Sequence, residues 1–317
     1  MPLSYLHDLK DFPDLLRIIE KNTGILAGLV EKDYWIMHVL YGLKKQGFSF
    51  EMKGGTSLSK GYGIINRFSE DIDIQINPPA ELGVNTNPKN TKASAVDSRK
   101  KFYDWLANAI KIDGIVSVER DHDFDDTEGR SGGIRLHYKT HTKPVEGLKD
   151  GILLEAGFDT VTPNNSLTIS SWAYDIATDN PGITVIDNRA FEVACYHPGY
   201  TFVEKLQTIA TKFRQEQEDN KTYPNLMRQY YDIYSLLDNK EVREFIGTEA
   251  YNAHKEARFK GKEKGLVIAD SEAFLLSNRE LRMQFQKRYK STTTLYYKGQ
   301  PSFESLLKRI ADNIKQL

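Results

Sequence analysis

Apolar positions along the chain follow two different periods. Ile25, Leu29, Trp35, Ile36, Val39, Leu40 and Leu43 recur at three- and four-residue steps, which with a similar stretch before them predicts helices over 12–21 and 26–46. Residues 48–52 alternate in part and predict a short strand that Gly54-Gly55 breaks, after which Thr56 can cap a short helix running to residue 61. Residues 68–76 carry the clearest alternation: Ile72, Ile74 and Ile76 fall on one face, and Asp71, Asp73 and Gln75 on the other. That is a half-buried strand with an acidic outer face. A loop rich in Pro, Asn and Gly follows over 78–92, then an amphipathic helix over 97–111 and strands over 115–120, 133–138 and 152–158. Beyond Pro181-Gly182 a short apolar segment leads into a mostly helical remainder, including 200–217 and 226–237. The pattern therefore predicts an α/β part over residues 1–190 and a helical part over 191–317.

The 317 residues are 39% hydrophobic and 11% aromatic, enough for a buried core. With 43 basic against 44 acidic residues, no global field marks a nucleic-acid or membrane binder, although 241–317 holds a modest basic excess. One cysteine, Cys195, excludes a disulfide within the chain and suits a reducing compartment. No Cys/His spacing suggests zinc. The opening MPLSYLHDLKDF lacks the basic-then-apolar pattern of a signal peptide, and no stretch is long and apolar enough for a membrane span, so a cytoplasmic protein is expected.

The acidic strand carries the chemistry. Asp71 and Asp73 sit at i and i+2, so their carboxylates point the same way and repel one another. A divalent cation removes that penalty; Mg²⁺, or Mn²⁺ in its place, takes one or two carboxylates plus phosphate oxygens. Gly54-Gly55-Thr56-Ser57 opens a helix just upstream, where free N–H groups and the absence of Cβ atoms suit a phosphate. A third acid is expected beside the pair. Glu155, within the apolar stretch ILLEAGF, is the first candidate, with Asp159 of the same parity as the alternative and a surface-facing edge as the other reading of Glu155.

KGGTSLSKG (53–61) followed by RFSEDID (67–73) resembles the first motif of the AbiEii/AbiGii toxin-type nucleotidyltransferases, members of the DNA polymerase β-like superfamily. Glu31-Lys32-Asp33-Tyr34-Trp35 is similar to the family's N-terminal helix signature, Thr201–Leu206 to its third motif, and Arg228–Tyr234 to its fourth, with Gln229 where the family usually has histidine. The resemblance spans residues 31–234 and implies an α+β fold: a mixed sheet with flanking helices, followed by a helical domain that completes the nucleotide site. It also implies Mg²⁺-dependent transfer of a nucleoside monophosphate from an NTP to an acceptor hydroxyl, with an RNA or tRNA 3′ end expected as acceptor and a cognate antitoxin as partner, in a toxin–antitoxin or abortive-infection system. On this resemblance Asp71 and Asp73 bind the metal. Gly54, Gly55, Thr56 and Ser57 hold the triphosphate, Lys205 meets phosphate, Asp232 orients it, and Lys60, Arg67 and Arg228 are further nucleotide contacts.

Other readings remain beside these. Lys205 could be a solvated helix lysine, and Asp232 could pair with Arg228 at i, i+4. Tyr230, Tyr231 and Tyr234 could stack on a base, though their spacing favours packing. The run KEARFKGKEK (255–264) is either an RNA-backbone contact or an exposed basic surface. His137 and His141 fall on strand and loop and are read as non-functional, and Cys195 as a packed thiol. The alternative function is an NTP-binding regulatory module on the same fold that transfers nothing; a purely structural protein would bind no NTP.

Overall fold

The computed structural model describes residues 3–179, 182–219 and 221–317, so Pro181 of the expected turn lies outside it. The chain divides into two compact units, Met1–Tyr62 with Phe68–Tyr196, and Gly63–Arg67 with His197–Leu317.

In the first unit, α1 (Phe12–Thr23) and α2 (Ala27–Lys45) lead into β1 (Ser49–Lys53). A helical turn, α3 (Gly54–Thr56), runs on as a π turn over Ser57–Gly61 to the loop before β2 (Asp71–Asn77). Then come α4 (Ala93–Ala109), β3 (Ile115–Asp121), β4 (Ser131–Tyr138), β5 (Ile152–Gly157), β6 (Asn164–Ile169), α5 (Trp172–Thr178) and β7 (Ala190–Tyr196). The seven strands form one mixed sheet in the order β3-β4-β5-β2-β1-β7-β6. With the flanking helices this is an α+β fold. β2 lies in its middle, antiparallel to β1 and parallel to β5. Ile72, Ile74 and Ile76 are fully buried, which fixes β2's register, since a one-residue slip would bring the aspartates into the core. α2 is covered along almost its whole length, and Glu31, Lys32 and Asp33 are buried with its apolar residues. Those three charges need partners inside the fold.

Several local expectations are corrected. β2 starts at Asp71 rather than residue 68, because Glu70 turns inward and is buried against Lys32. The turn after β1 becomes helical at Gly54, with φ of +72°, and Thr56 lies inside it rather than capping it. The Thr56 hydroxyl instead donates to the carbonyl oxygens of Asp71 and Ser69. α4 begins at Ala93, four residues earlier than its amphipathic pattern. β6, α5 and β7 escape the sequence pattern altogether.

The second unit is helical: α6 (Pro198–Asp219), α7 (Leu226–Leu236), α8 (Lys240–Phe245), α9 (Glu249–Arg258), α10 (Glu272–Leu275), α11 (Arg279–Lys290) and α12 (Phe303–Asn313). Phe202, Leu206 and Ile209 of α6 and Leu226, Tyr230 and Ile233 of α7 are buried in its core. Tyr230 donates its hydroxyl to the Ala273 carbonyl at 2.6 Å, and Tyr231 accepts the Asn66 N–H at 3.1 Å. Both tyrosines are packing residues. Among the described residues no helix is long and apolar enough to cross a membrane.

Candidate active site

Strand register assembles the acids. Asp73 has Glu155 of β5 as its partner on one side and Lys53 of β1 on the other. Partners in register share a face, so Asp71, Asp73 and Glu155 project together from adjacent strands. Asp159 lies past the end of β5, half-exposed and 3.5 Å from Lys53, outside the strand register that holds the other three. Burial first, then the charges of Asp73 and Asp71, together push the Glu155 carboxyl up to about 8. Burial likewise pushes Asp71 up to about 6, helped by Glu70 and Asp73. These acids are thus grouped where their charges oppose one another.

The turn that precedes them is shaped to their side chains. A Cβ on Gly54 would clash with Asp73 Oδ2, and the positive φ already favours glycine there. Thr56 and Ser57 are fully buried. The Thr56 hydroxyl is spent on the start of β2, and that of Ser57 lies against Cys195. Lys60, at the end of the turn, is held 2.8 Å from Asp33 of α2, which also accepts the Trp172 N–H at 2.8 Å. Cys195 is buried and its thiol is pushed up to about 12 by desolvation.

Glu31-Lys32-Asp33 therefore has a structural purpose that the sequence did not disclose. Glu31 accepts from the Thr140 hydroxyl, the His141 N–H and the Thr142 hydroxyl at 2.9, 2.8 and 2.6 Å. Lys32 donates to Glu70 at 3.2 Å and to the Lys149 carbonyl at 2.6 Å, while Glu70 accepts the Lys149 N–H at 3.0 Å. Three consecutive buried charges thus tie α2 to the loop before β5, to the residue preceding Asp71 and to the phosphate-type turn.

In the second unit, Arg67 and Asp232 form a bidentate pair with both bonds at 2.7 Å, and Lys205 Nζ lies 2.9 Å from the same carboxylate. Asp232 is fully buried. Burial alone would raise its pKa, but Arg67 and Lys205 outweigh it and hold the carboxyl below its ordinary value. Arg67, 165 residues away in sequence, supplies the partner that helical spacing had offered to Arg228. In the basic run at 255–264, two of the five cations meet acids, Arg258 at 3.7 Å from Glu204 and Lys262 at 2.7 Å from Glu218, and Lys255 donates to the Leu317 backbone oxygen. His137 pairs with Glu119 and His141 lies on the loop.

Among the described residues no group of three His, Cys, Asp or Glu side chains forms a ready-made metal cage. The acidic cluster still fits a divalent ion of the Mg²⁺ type, which takes one or two carboxylates and completes its shell with water and phosphate oxygens. The raised carboxyls are what such an ion would use, and the absent side chain at Gly54 leaves room for the Asp73 carboxylate itself.

The profile of the nucleotidyl transferase AbiEii toxins of type IV toxin–antitoxin systems matches residues 38–309. The chain belongs to this family. As an AbiEii protein it is a nucleotidyltransferase and a toxin of the type IV kind, with an NTP as substrate and an antitoxin as counterpart. No curated protein matches it. Among solved structures it is similar to an antigenic nucleotidyltransferase-like protein from Paracoccidioides brasiliensis, at 12% identity and a TM-score of 0.34, over 73% of this chain and 95% of that one.

Proposed function

We propose that this AbiEii protein transfers a nucleoside monophosphate from an NTP to a hydroxyl of RNA, with a tRNA 3′ end as the expected acceptor. The observation that carries the reading is the placement of Asp71, Asp73 and Glu155 on one face of adjacent strands, next to a glycine turn shaped to Asp73. These three acids would hold the divalent ion, which would supply charge neutralisation at the triphosphate. Gly54, Gly55, Thr56 and Ser57 form the phosphate-holding turn; its two hydroxyls face inward and the Ser57 N–H is bonded to the Gly54 carbonyl, so the anion is assigned to the backbone N–H groups ahead of Ser57. The acceptor oxygen forms a bond to the α-phosphorus as the bond to the bridging oxygen breaks and pyrophosphate leaves. Positioning and charge stabilisation supply most of the rate in such chemistry. Lys205 is assigned to a phosphate, its ammonium held by the Asp232 carboxylate that Arg67 fixes in turn, and Lys60 and Arg228 to secondary nucleotide contacts.

The test is incubation with total cellular RNA, Mg²⁺ and each labelled NTP in turn. Wild-type protein should label a defined RNA band, and Asp71→Ala or Asp73→Ala should abolish it. Full labelling by both variants would sink the assignment, and labelling of protein instead of RNA would reassign the acceptor.

A further inference from the structure

The 139–151 loop of the first unit bridges β4 and β5 and roofs a cavity of about 210 Å³. At ~30 Å³ per water molecule, that is room for a phosphate group and its hydration. Its polar lining includes Lys32, Thr140, Thr142, Lys143, Lys149 and Asp150. Lys32 is engaged with Glu70, and Asp150 lies 3.4 Å from His137. Lys143 and Lys149 have no ion pair among the described residues, and Lys149 Nζ is held over the Phe124 ring, 4.0 Å from its centroid.

The loop is fixed at both ends by neighbouring residues of α2. Glu31 takes three hydrogen bonds from Thr140, His141 and Thr142, and Lys32 with Glu70 binds both backbone groups of Lys149. These lysines therefore stand on a clamped support, which lowers the ordering cost of binding an anion.

Position decides which anion. In the sheet order β4-β5-β2-β1, the glycine turn leaves β1 on one flank of β2, and the cavity lies at β4 and β5 on the other. The two flanks meet the same end of β2, because Lys53 at the end of β1 is in register with Asp73 and Leu153 at the start of β5 with Asp71. The acidic cluster thus shares one end of the sheet with both the phosphate turn and the cavity. The field of Lys149 reaches both Asp71 and Glu155.

We propose that the cavity under the 139–151 loop binds a phosphodiester of the acceptor RNA strand through Lys143 and Lys149, on the side of the acids opposite the NTP. This rests on the RNA-transfer reading above. The experiment uses the full chain, a fluorescein-labelled oligoribonucleotide of mixed sequence, and anisotropy across a KCl series. A fluorescent NTP analogue with Mg²⁺ is titrated in parallel. Lys143→Ala/Lys149→Ala should make the slope of log affinity against log salt shallower by about 0.7, the value for one single-strand phosphate contact, and leave NTP affinity within about twofold. Lys143→Arg/Lys149→Arg should keep the wild-type slope. An unchanged slope in the double alanine variant overturns the proposal, as does a parallel loss of NTP affinity. Wild-type protein that binds NTP but no RNA overturns it together with the choice of acceptor. A shallower slope in the variant from a wild-type protein that labels no RNA upholds the cavity and sinks the transfer reading alone.

Discussion

Lys32 and Glu70 are 3% and 5% exposed, so removing one charge strands the other in the interior. Lys32→Met leaves the Glu70 carboxylate with only the Lys149 N–H at 3.0 Å, and breaking a buried pair in this way costs about 3–5 kcal/mol. Glu70→Gln keeps an acceptor oxygen for that N–H and leaves Lys32 its bond to the Lys149 carbonyl at 2.6 Å, so its cost should be lower, about 1.5–3 kcal/mol. The double variant buries no unpaired charge. It should therefore fall short of the sum of the single losses by roughly 1–3 kcal/mol. Urea unfolding followed by tryptophan fluorescence is the suitable assay, since Trp35, Trp105 and Trp172 are the chain's three tryptophans and all belong to the first unit. Losses that add to within about 0.5 kcal/mol would show that the two residues do not act as a pair. A Lys32→Met loss below about 1 kcal/mol would show that the site is hydrated and the burial argument wrong.

Gly54→Ala should reduce NMP transfer by about 100-fold, because its Cβ would displace the Asp73 carboxylate, while the left-handed backbone costs only about 1–2 kcal/mol of stability. Full activity in labelled-NTP assays would refute the close approach. In chelator, Glu155 near 8 and Asp71 near 6 hold protons in the folded chain that the unfolded chain, with carboxyls at 4.5 and 3.8, has released. Stability should then fall as pH rises from about 4 to about 8. Melting temperatures should show this slope, Glu155→Gln should flatten its upper part, and Mg²⁺ at pH 8 should restore the loss; a flat profile in chelator would contradict it. Cys195, buried and with its thiol near 12, should be inert to a thiol-specific disulfide reagent at pH 8 in native protein and react with one equivalent in urea.

Long periodic elements were legible in the sequence. α2, β2 and α6 announce themselves because their apolar spacing is uninterrupted, and β2 displays its two faces directly. β7 does not, since Glu192 adopts φ of +52° and breaks the alternation, and its pairing with β6 shifts register between Leu167 and Ile169. A two-residue periodicity cannot be read through such an irregularity. Within the candidate site, the acids on β2 were visible as an i, i+2 pair, but Glu155 joins them only through strand register. The buried charges of α2 form a sequence motif whose task is not local, because Glu31, Lys32 and Asp33 find partners 109, 38 and 27 residues away. Local rules also misdirected at Asp232: helical spacing offers Arg228, whereas a bidentate guanidinium arrives from Arg67.

That last contact has a practical corollary for dissecting the enzyme. Because Gly63–Arg67 packs with His197–Leu317, neither half of the molecule is a contiguous gene segment. A clone beginning at residue 197 would encode all the helices of the second unit but lack Arg67, leaving Asp232 with Lys205 alone. Split-protein complementation, domain swaps and C-terminal fragments would each have to carry this pentapeptide in trans or graft it on, and the peptide bond to Phe68 stands only three residues before Asp71.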